Sequence, residues 1–302
     1  MLLEHMPKTL RQPGRLAPGW SGWVLCLLLF FPAVSLPAAT ASDSGPSAPE
    51  IRTSVHSPKK GLGIGTTGRY PDWEQRLNRL HVAWFYTWRA QHPGKVSGNV
   101  EFVPMVWGRN GINDETLADL VRGQREGLYR NLLGFNEPDA RKQANMPADE
   151  AVKLWSSLLA TGLRLGSPAT LNPHNPWMRE FVSSVEKQGE RLDFIAMHWY
   201  GGPHPEKFLL HLEYVHKRYR RPIWITEFAV ADWKARENGT SRISPEQALS
   251  FMKTVIPALE RLDYIERYAW FPAAPDHPAL GQSALFNVDG TLTPLGRLYA
   301  GY

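Results

Sequence analysis

The sequence predicts an α/β chain folded as a single-domain (β/α)8 TIM barrel, and three observations predict it. Eight short apolar runs recur along the 302 residues. Helix-start signals fall between the runs, and two of the runs lead into a glutamate, as expected where parallel strands deliver polar groups to one rim. The runs are 61–67, 81–88, 101–107, 131–136, 164–169, 192–200, 222–229 and 267–271. An open doubly wound sheet is the competing architecture for the same alternation.

Ahead of the barrel lies a targeting signal. Lys8, Arg11 and Arg15 precede an apolar core over 23–34, and Ala39-Thr40-Ala41 then supplies an A-x-A cleavage site. That core is too short to span a bilayer comfortably. The expected organisation is a signal peptide over 1–41, a flexible Ser/Pro-rich leader over 42–58 and the catalytic barrel over 59–302. This implies a secreted or periplasmic protein with no stable membrane insertion after cleavage, an uncleaved anchor being the alternative. The single cysteine, Cys26, falls inside the signal between Leu25 and Leu27. The mature chain therefore holds no disulfide and no Cys-based metal site.

Within the barrel, Gly63-Ile64-Gly65-Thr66-Thr67-Gly68 matches a dinucleotide fingerprint, but no acidic residue ends the next run, and a tight turn after the first strand is the better reading. Residues 89–100, with His92-Pro93-Gly94, show no apolar helical face, so the second helix is expected to be missing or vestigial. The fourth run closes in Phe135-Asn136-Glu137-Pro138, where the proline ring disfavours the α region for Glu137 and prevents an immediate helix. Ala151, Val152, Trp155, Leu158 and Leu159 then keep helical spacing. Asn175-Pro176, Ser244-Pro245 with Gln247, and Thr293-Pro294 each place a cap before a proline at the first helical position. The seventh run, Pro222-Ile223-Trp224-Ile225-Thr226-Glu227, repeats the strand-to-glutamate design. The segment 272–287 is a long loop expected to shape one end of the cleft.

Composition excludes little else. Lys and Arg total 34 against 29 acids, a formal +5, and the basic residues are scattered among acids, which argues against a nucleic-acid footprint. The ten histidines include no His-Glu-x-x-His or similar spacing, so neither a catalytic metal nor a cofactor is expected. Twelve tryptophans are the oddity. Trp88, Trp107 and Trp270 end the second, third and eighth runs, where a barrel puts its active site. His198 and Tyr200 share one strand face and so point together.

Two carboxylates across a cleft are the equipment of glycoside hydrolysis, because a glycosidic oxygen must be protonated as it leaves while the opposite face needs a nucleophile. Glu137 is assigned as acid/base and Glu227 as nucleophile, with Asn136 placed to touch a substrate hydroxyl. The alternatives are a transglycosylase using the same residues and a non-catalytic binding module.

Gly134-Phe135-Asn136-Glu137-Pro138-Asp139, Ile195-Ala196-Met197-His198-Trp199-Tyr200-Gly201 and Trp224-Ile225-Thr226-Glu227-Phe228-Ala229 together resemble the strand 4, 6 and 7 motifs of glycoside hydrolase family 128, in clan A. The likeness also takes in Tyr86-Thr87-Trp88, 103–108 and Ala284-Leu285-Phe286-Asn287. The resemblance implies a compact retaining barrel acting on β-1,3-glucan oligo- or polysaccharides, an endo-β-1,3-glucanase-like enzyme, and makes the non-catalytic alternative a β-glucan-binding barrel module. Glu137 would then be its acid/base and Glu227 its nucleophile, and Asn136, His198, Tyr200, Trp270, Trp107, Trp88 and Tyr86 would contact substrate. A monomer is expected.

Overall fold

The computed structural model describes residues 56–67, 71–94, 96 and 98–302; the signal peptide, Cys26 and most of the leader lie outside them. Eight strands follow in order: β1 Lys60–Gly63, β2 Trp84–Tyr86, β3 Glu101–Phe102, β4 Asn131–Leu132, β5 Arg164–Leu165, β6 Ile195–Gly201, β7 Ile223–Val230 and β8 Ile265–Trp270. The helices are α1 Trp73–Leu80, α2 Asp114–Arg125, α3 Ala148–Leu159, α4 Pro176–Lys187, α5 Pro205–Tyr219, α6 Ala235–Asn238, α7 Pro245–Arg261 and α8 Pro294–Ala300. Among the described residues no helix separates β2 from β3, as the missing apolar face over 89–100 implies.

Every strand pair is parallel, which with helices between them is the βαβ architecture. One sheet runs β3-β2-β1-β8-β7-β6 and a second pairs β4 with β5. Two single bridges join them into a ring. Met105 pairs with Leu133, the Leu133 amide donating to the Pro104 carbonyl at 2.9 Å, and Gly166 pairs with Phe194, the Ser167 amide donating to the Phe194 carbonyl at 3.0 Å. The barrel thus closes in sequence order, and the doubly wound alternative is set aside.

Strand alternation sorts the core into two shells. Trp84, Val103, Leu133, Phe194, Ala196, Trp224 and Ala269 fill the barrel interior. The intervening residues, Phe85, Leu132, Ile195, Met197, Ile223, Ile225 and Tyr268, pack outward against helix faces such as Trp155, Phe181 and Phe251. Phe194 stacks on Trp224 at 4.1 Å and the Arg267 guanidinium lies 4.3 Å over the same indole. Below them, Arg267 pairs with Glu101 at 2.5 Å and Arg164 with Glu266 at 2.7 Å. These residues sit at or beside the strand starts, so a charged plug closes the N-terminal mouth and leaves the other mouth for chemistry.

The helix-start signals resolve as caps. The Asn175 side chain accepts from the Met178 amide at 2.8 Å, and Ser244 and Gln247 form a reciprocal capping box. Thr293 accepts from the Gly296 amide at 2.9 Å, opening α8. The last carbonyls of α8, on Tyr299 and Ala300, accept from the buried Lys60 ammonium at 3.0 and 3.3 Å, a cation where the helix dipole favours one. Burial pulls that ammonium down to about 8, against an opposing pull from Glu260. The first strand and the last helix are thereby tied at the barrel's base.

Gly296 is where this closure is least tolerant. A Cβ there would lie 2.0 Å from the Leu285 carbonyl oxygen, a backbone atom with no rotamer to yield. Gly296→Ala is expected to destabilise the fold by about 1–3 kcal/mol, the usual cost of overpacking, read as a lower thermal midpoint.

Candidate active site

Glu137 lies five residues past Leu132, the last residue of β4 (137 − 132), at the end of the segment that continues it. Its amide donates to the Ala169 carbonyl beyond β5 at 2.7 Å, and its carbonyl accepts from the Ala140 amide at 3.0 Å. Pro138 does prevent a helix from continuing, yet Glu137 is not extended as its neighbour's ring alone would suggest: its φ is +43°, in the left-handed region. Non-glycine residues there cost on the order of 1–3 kcal/mol and persist where surrounding contacts overdetermine them. Trp88 shares this state, with φ +57°. Both strained residues belong to the same site.

Glu227 reaches the site through a break in alternation. Ile223 and Ile225 face the helices, and strict alternation would send Glu227 outward with them. Instead the β6–β7 register shifts between Met197 and His198: Met197 pairs with Ile225, but His198 pairs with Glu227. The bulge takes up Thr226, turns Glu227 into the barrel mouth and returns Phe228 to the outer shell.

Donors then converge on Glu227. The Trp88 indole N–H donates to Oε1 at 2.8 Å, the Tyr86 hydroxyl to Oε1 at 3.2 Å and the Tyr200 hydroxyl to Oε2. Burial, and next the Glu227 charge, push both tyrosine hydroxyls far above their ordinary value, so both stay protonated donors. Glu137 has a different setting: His198 Nδ1 lies 3.0 Å from its Oε1. The other ring nitrogen, Nε2, stands 3.5 Å from Glu227 Oε1, a charge contact with no hydrogen bond. A carboxylate oxygen of Glu137, a ring nitrogen of His198 and a carboxylate oxygen of Glu227 lie within 4.8 Å of one another. No spacing in the sequence reveals this trio, which offers three atoms a cation could use.

Burial pulls the His198 imidazole down, but the Glu227 charge and then the Glu137 hydrogen bond outweigh it, and the net shift is upward from 6.5. A raised folded-state value means that stability from the imidazolium is fully present below about 6.5 and is lost as pH rises through the folded value. Thermal melts of the native chain and His198→Gln should therefore differ more at acid than at alkaline pH. Equal differences at both would contradict the assignment.

Above these carboxylates runs a groove of about 670 Å³, lined among others by Trp88, Trp107, Asn136, Tyr200, Trp233 and Phe271. Of the residues predicted from sequence, Trp88, Trp107, Asn136, Glu137, Tyr200 and Glu227 line it, and Tyr86 and His198 lie buried directly beneath. Asn136 Oδ1 is buried without a partner, which leaves an acceptor for a substrate hydroxyl. Trp270 is a correction. It is 0 % exposed, its indole N–H donates to the Ser283 carbonyl at 2.9 Å, and it packs against Phe228 and Phe251. Ala269 faces the interior, so Trp270 has outward parity, and Phe271 supplies that strand's aromatic surface instead. The sequence reading also missed Trp233, 41 % exposed on the loop after β7. Its position just past a glutamate-ended strand was the available signal. Asp232 anchors that loop through Arg242, accepting at 2.8 and 3.0 Å. From the long loop after β8, His277 and Leu280 reach the groove.

A barrel with two facing glutamates under an aromatic groove is the architecture of a glycosidase, and the comparisons agree. The glycosyl hydrolase catalytic core family matches residues 62–299. A subgroup I endo-β-1,3-glucanase of glycoside hydrolase family 128 from Amycolatopsis mediterranei, solved with laminaritriose, superposes with a TM-score of 0.70. It shares 33 % identity, over 81 % of this chain and 99 % of that one. A curdlan-specific exo-β-1,3-glucanase of subgroup III from Blastomyces gilchristii superposes at 0.60 with 28 % identity, over 80 % and 97 %. Alkali-sensitive linkage protein 1 of Schizosaccharomyces pombe is 31 % identical over 257 residues, 80 % of this chain. The chain spans only 44 % of that relative's length. This chain belongs to the glycosyl hydrolase catalytic core family, and within it to glycoside hydrolase family 128.

Proposed function

We propose that the chain hydrolyses β-1,3-glucan with retention of anomeric configuration, Glu137 serving as acid/base and Glu227 as nucleophile. One observation carries this reading: the approach of the two strand-end carboxylates, with oxygens within 4.8 Å. Retaining enzymes hold their carboxyl groups about 5–5.5 Å apart, whereas inverting ones need about 6.5–9.5 Å to admit a water. Local chemistry divides the roles. Three donors on Glu227 suit an anion that attacks carbon, while Glu137 has a single imidazole nitrogen, His198 Nδ1, as its side-chain partner and is the carboxyl left to serve the leaving oxygen. The relatives solved with laminari-oligosaccharides supply the substrate class. The test is the anomer released first from linear laminarin, followed by proton NMR. The β-anomer is expected initially, mutarotating later, and an initial α-anomer would overturn retention. Product chain lengths at high substrate then show whether water or a second sugar accepts the glycosyl group.

The export signal belongs to the same proposal: a polysaccharide too large to enter a cell is met outside it. Secreted protein is expected to begin at Ser42, as read by N-terminal sequencing, and a membrane-retained chain with its leader intact would favour the anchor instead. Size-exclusion chromatography is expected to show a monomer.

A further inference from the structure

A second cavity of about 330 Å³ adjoins the groove, with Trp88 and Trp107 as a shared wall. Four cationic side chains line the pair, Arg89 and Arg109 in the smaller and Lys142 and Arg236 in the larger. The only carboxylates lining either are Glu137 and Glu227, both buried and both faced by His198. Arg109 is committed to Glu150, with both contacts at 2.6 Å. Among the described residues, Arg89, Lys142 and Arg236 pair with no carboxylate, and Arg236 lies instead 4.5 Å over the Trp233 ring. Some surface cations are matched, as in Lys153 with Asp149 and Arg221 with Glu186. Among the described residues, exposed cations without an ion pair also occur away from the cleft, Lys187, Lys207 and Lys253 among them; what marks the cleft is that three such cations share a wall whose lining carboxylates are Glu137 and Glu227 alone.

A neutral sugar chain gains little from three unpaired cations, since its hydroxyls are as well met by Asn or Gln. A concave wall on which unpaired cations outnumber carboxylates, in contrast, focuses its field and raises the local concentration of an oppositely charged ligand. We infer that the groove takes β-glucan bearing anionic substituents along the chain, with Arg89, Lys142 and Arg236 setting that preference. The inference rests on the glucanase reading above and deepens it: the anion is a carboxylate or an ester anion on a glucosyl unit, held by charge beside the aromatic platforms.

The experiment compares kcat/KM on laminarin, on laminarin partly oxidised to carboxylate at C6, and on laminarin partly sulfated, at matched chain length. At about 20 mM salt at least one anionic substrate is expected to exceed the neutral one by about 5-fold or more, with the advantage vanishing near 300 mM as screening shortens the field's reach. A gain with the carboxylated chain alone assigns a uronate, and with the sulfated chain alone an ester anion. The combined Arg89→Gln, Lys142→Gln and Arg236→Gln variant should lose the ratio between anionic and neutral substrates. A ratio of one or below in the native enzyme, or a ratio undiminished in the variant, overturns the inference. Affinity electrophoresis of Glu227→Gln in gels containing each polymer reads binding without turnover. If the native enzyme leaves neutral laminarin uncut, the glucanase reading fails, and retention in those gels still decides the charge preference.

Discussion

Glu227→Ala is expected to leave no measurable hydrolysis of laminarin, and azide is expected to restore turnover with an α-glycosyl azide as product. On the proposed mechanism the side chain removed is the one that forms the covalent intermediate, so the loss should at least match the 10²- to 10⁴-fold typical of a missing acid/base group. The stereochemistry is the sharper readout. Azide entering the space left by the carboxylate attacks from the face opposite the leaving group and inverts the centre once, while Glu137 still protonates the departing oxygen. The Trp88, Tyr86 and Tyr200 donors that hold the carboxylate are left in place to receive the anion. A β-azide, or no rescue in a variant that melts like the native chain, would transfer the nucleophile's role elsewhere.

Glu137→Gln should separate the two chemical steps. Laminarin needs its leaving oxygen protonated, so its cleavage is expected to fall by about 10²- to 10⁴-fold. A dinitrophenyl β-laminarioside needs no such help. It should react in a burst at close to the native rate and then stall, because the base that activates water for the second step is gone. Gln keeps a partner for His198 Nδ1, which preserves the local packing around the 3.0 Å contact. Azide added to this variant should give a β-glycosyl azide, through attack on the covalent intermediate from the side that Glu137 guards. Equal losses on both substrates, with no burst, would remove Glu137 from the acid/base role.

The sequence by itself determined the barrel and both of the site's carboxylates. Eight apolar runs, proline-marked helix starts such as Ser244-Pro245, and the faceless stretch over 89–100 are local signals, each governed by propensity and capping within a few residues, and such signals survive without tertiary context. The shared parity of His198 and Tyr200 was legible for the same reason. Both reach the carboxylate pair, Tyr200 by its hydroxyl on Glu227 and His198 by Nδ1 on Glu137.

What only the tertiary structure decided turns on where alternation breaks. The bulge at Thr226 exists because β6 and β7 pair out of register there, a property of two strands and not of either one. It turns Glu227 inward. Trp270 went the other way, since its parity is set by Ala269 facing the barrel interior, and the groove took Phe271 in its place. The left-handed backbone at Glu137 and Trp88, the trio around His198 and the cations gathered along one cleft likewise join residues far apart in the chain. A side chain's type is written in the sequence, but its direction is fixed only when neighbouring strands impose a register.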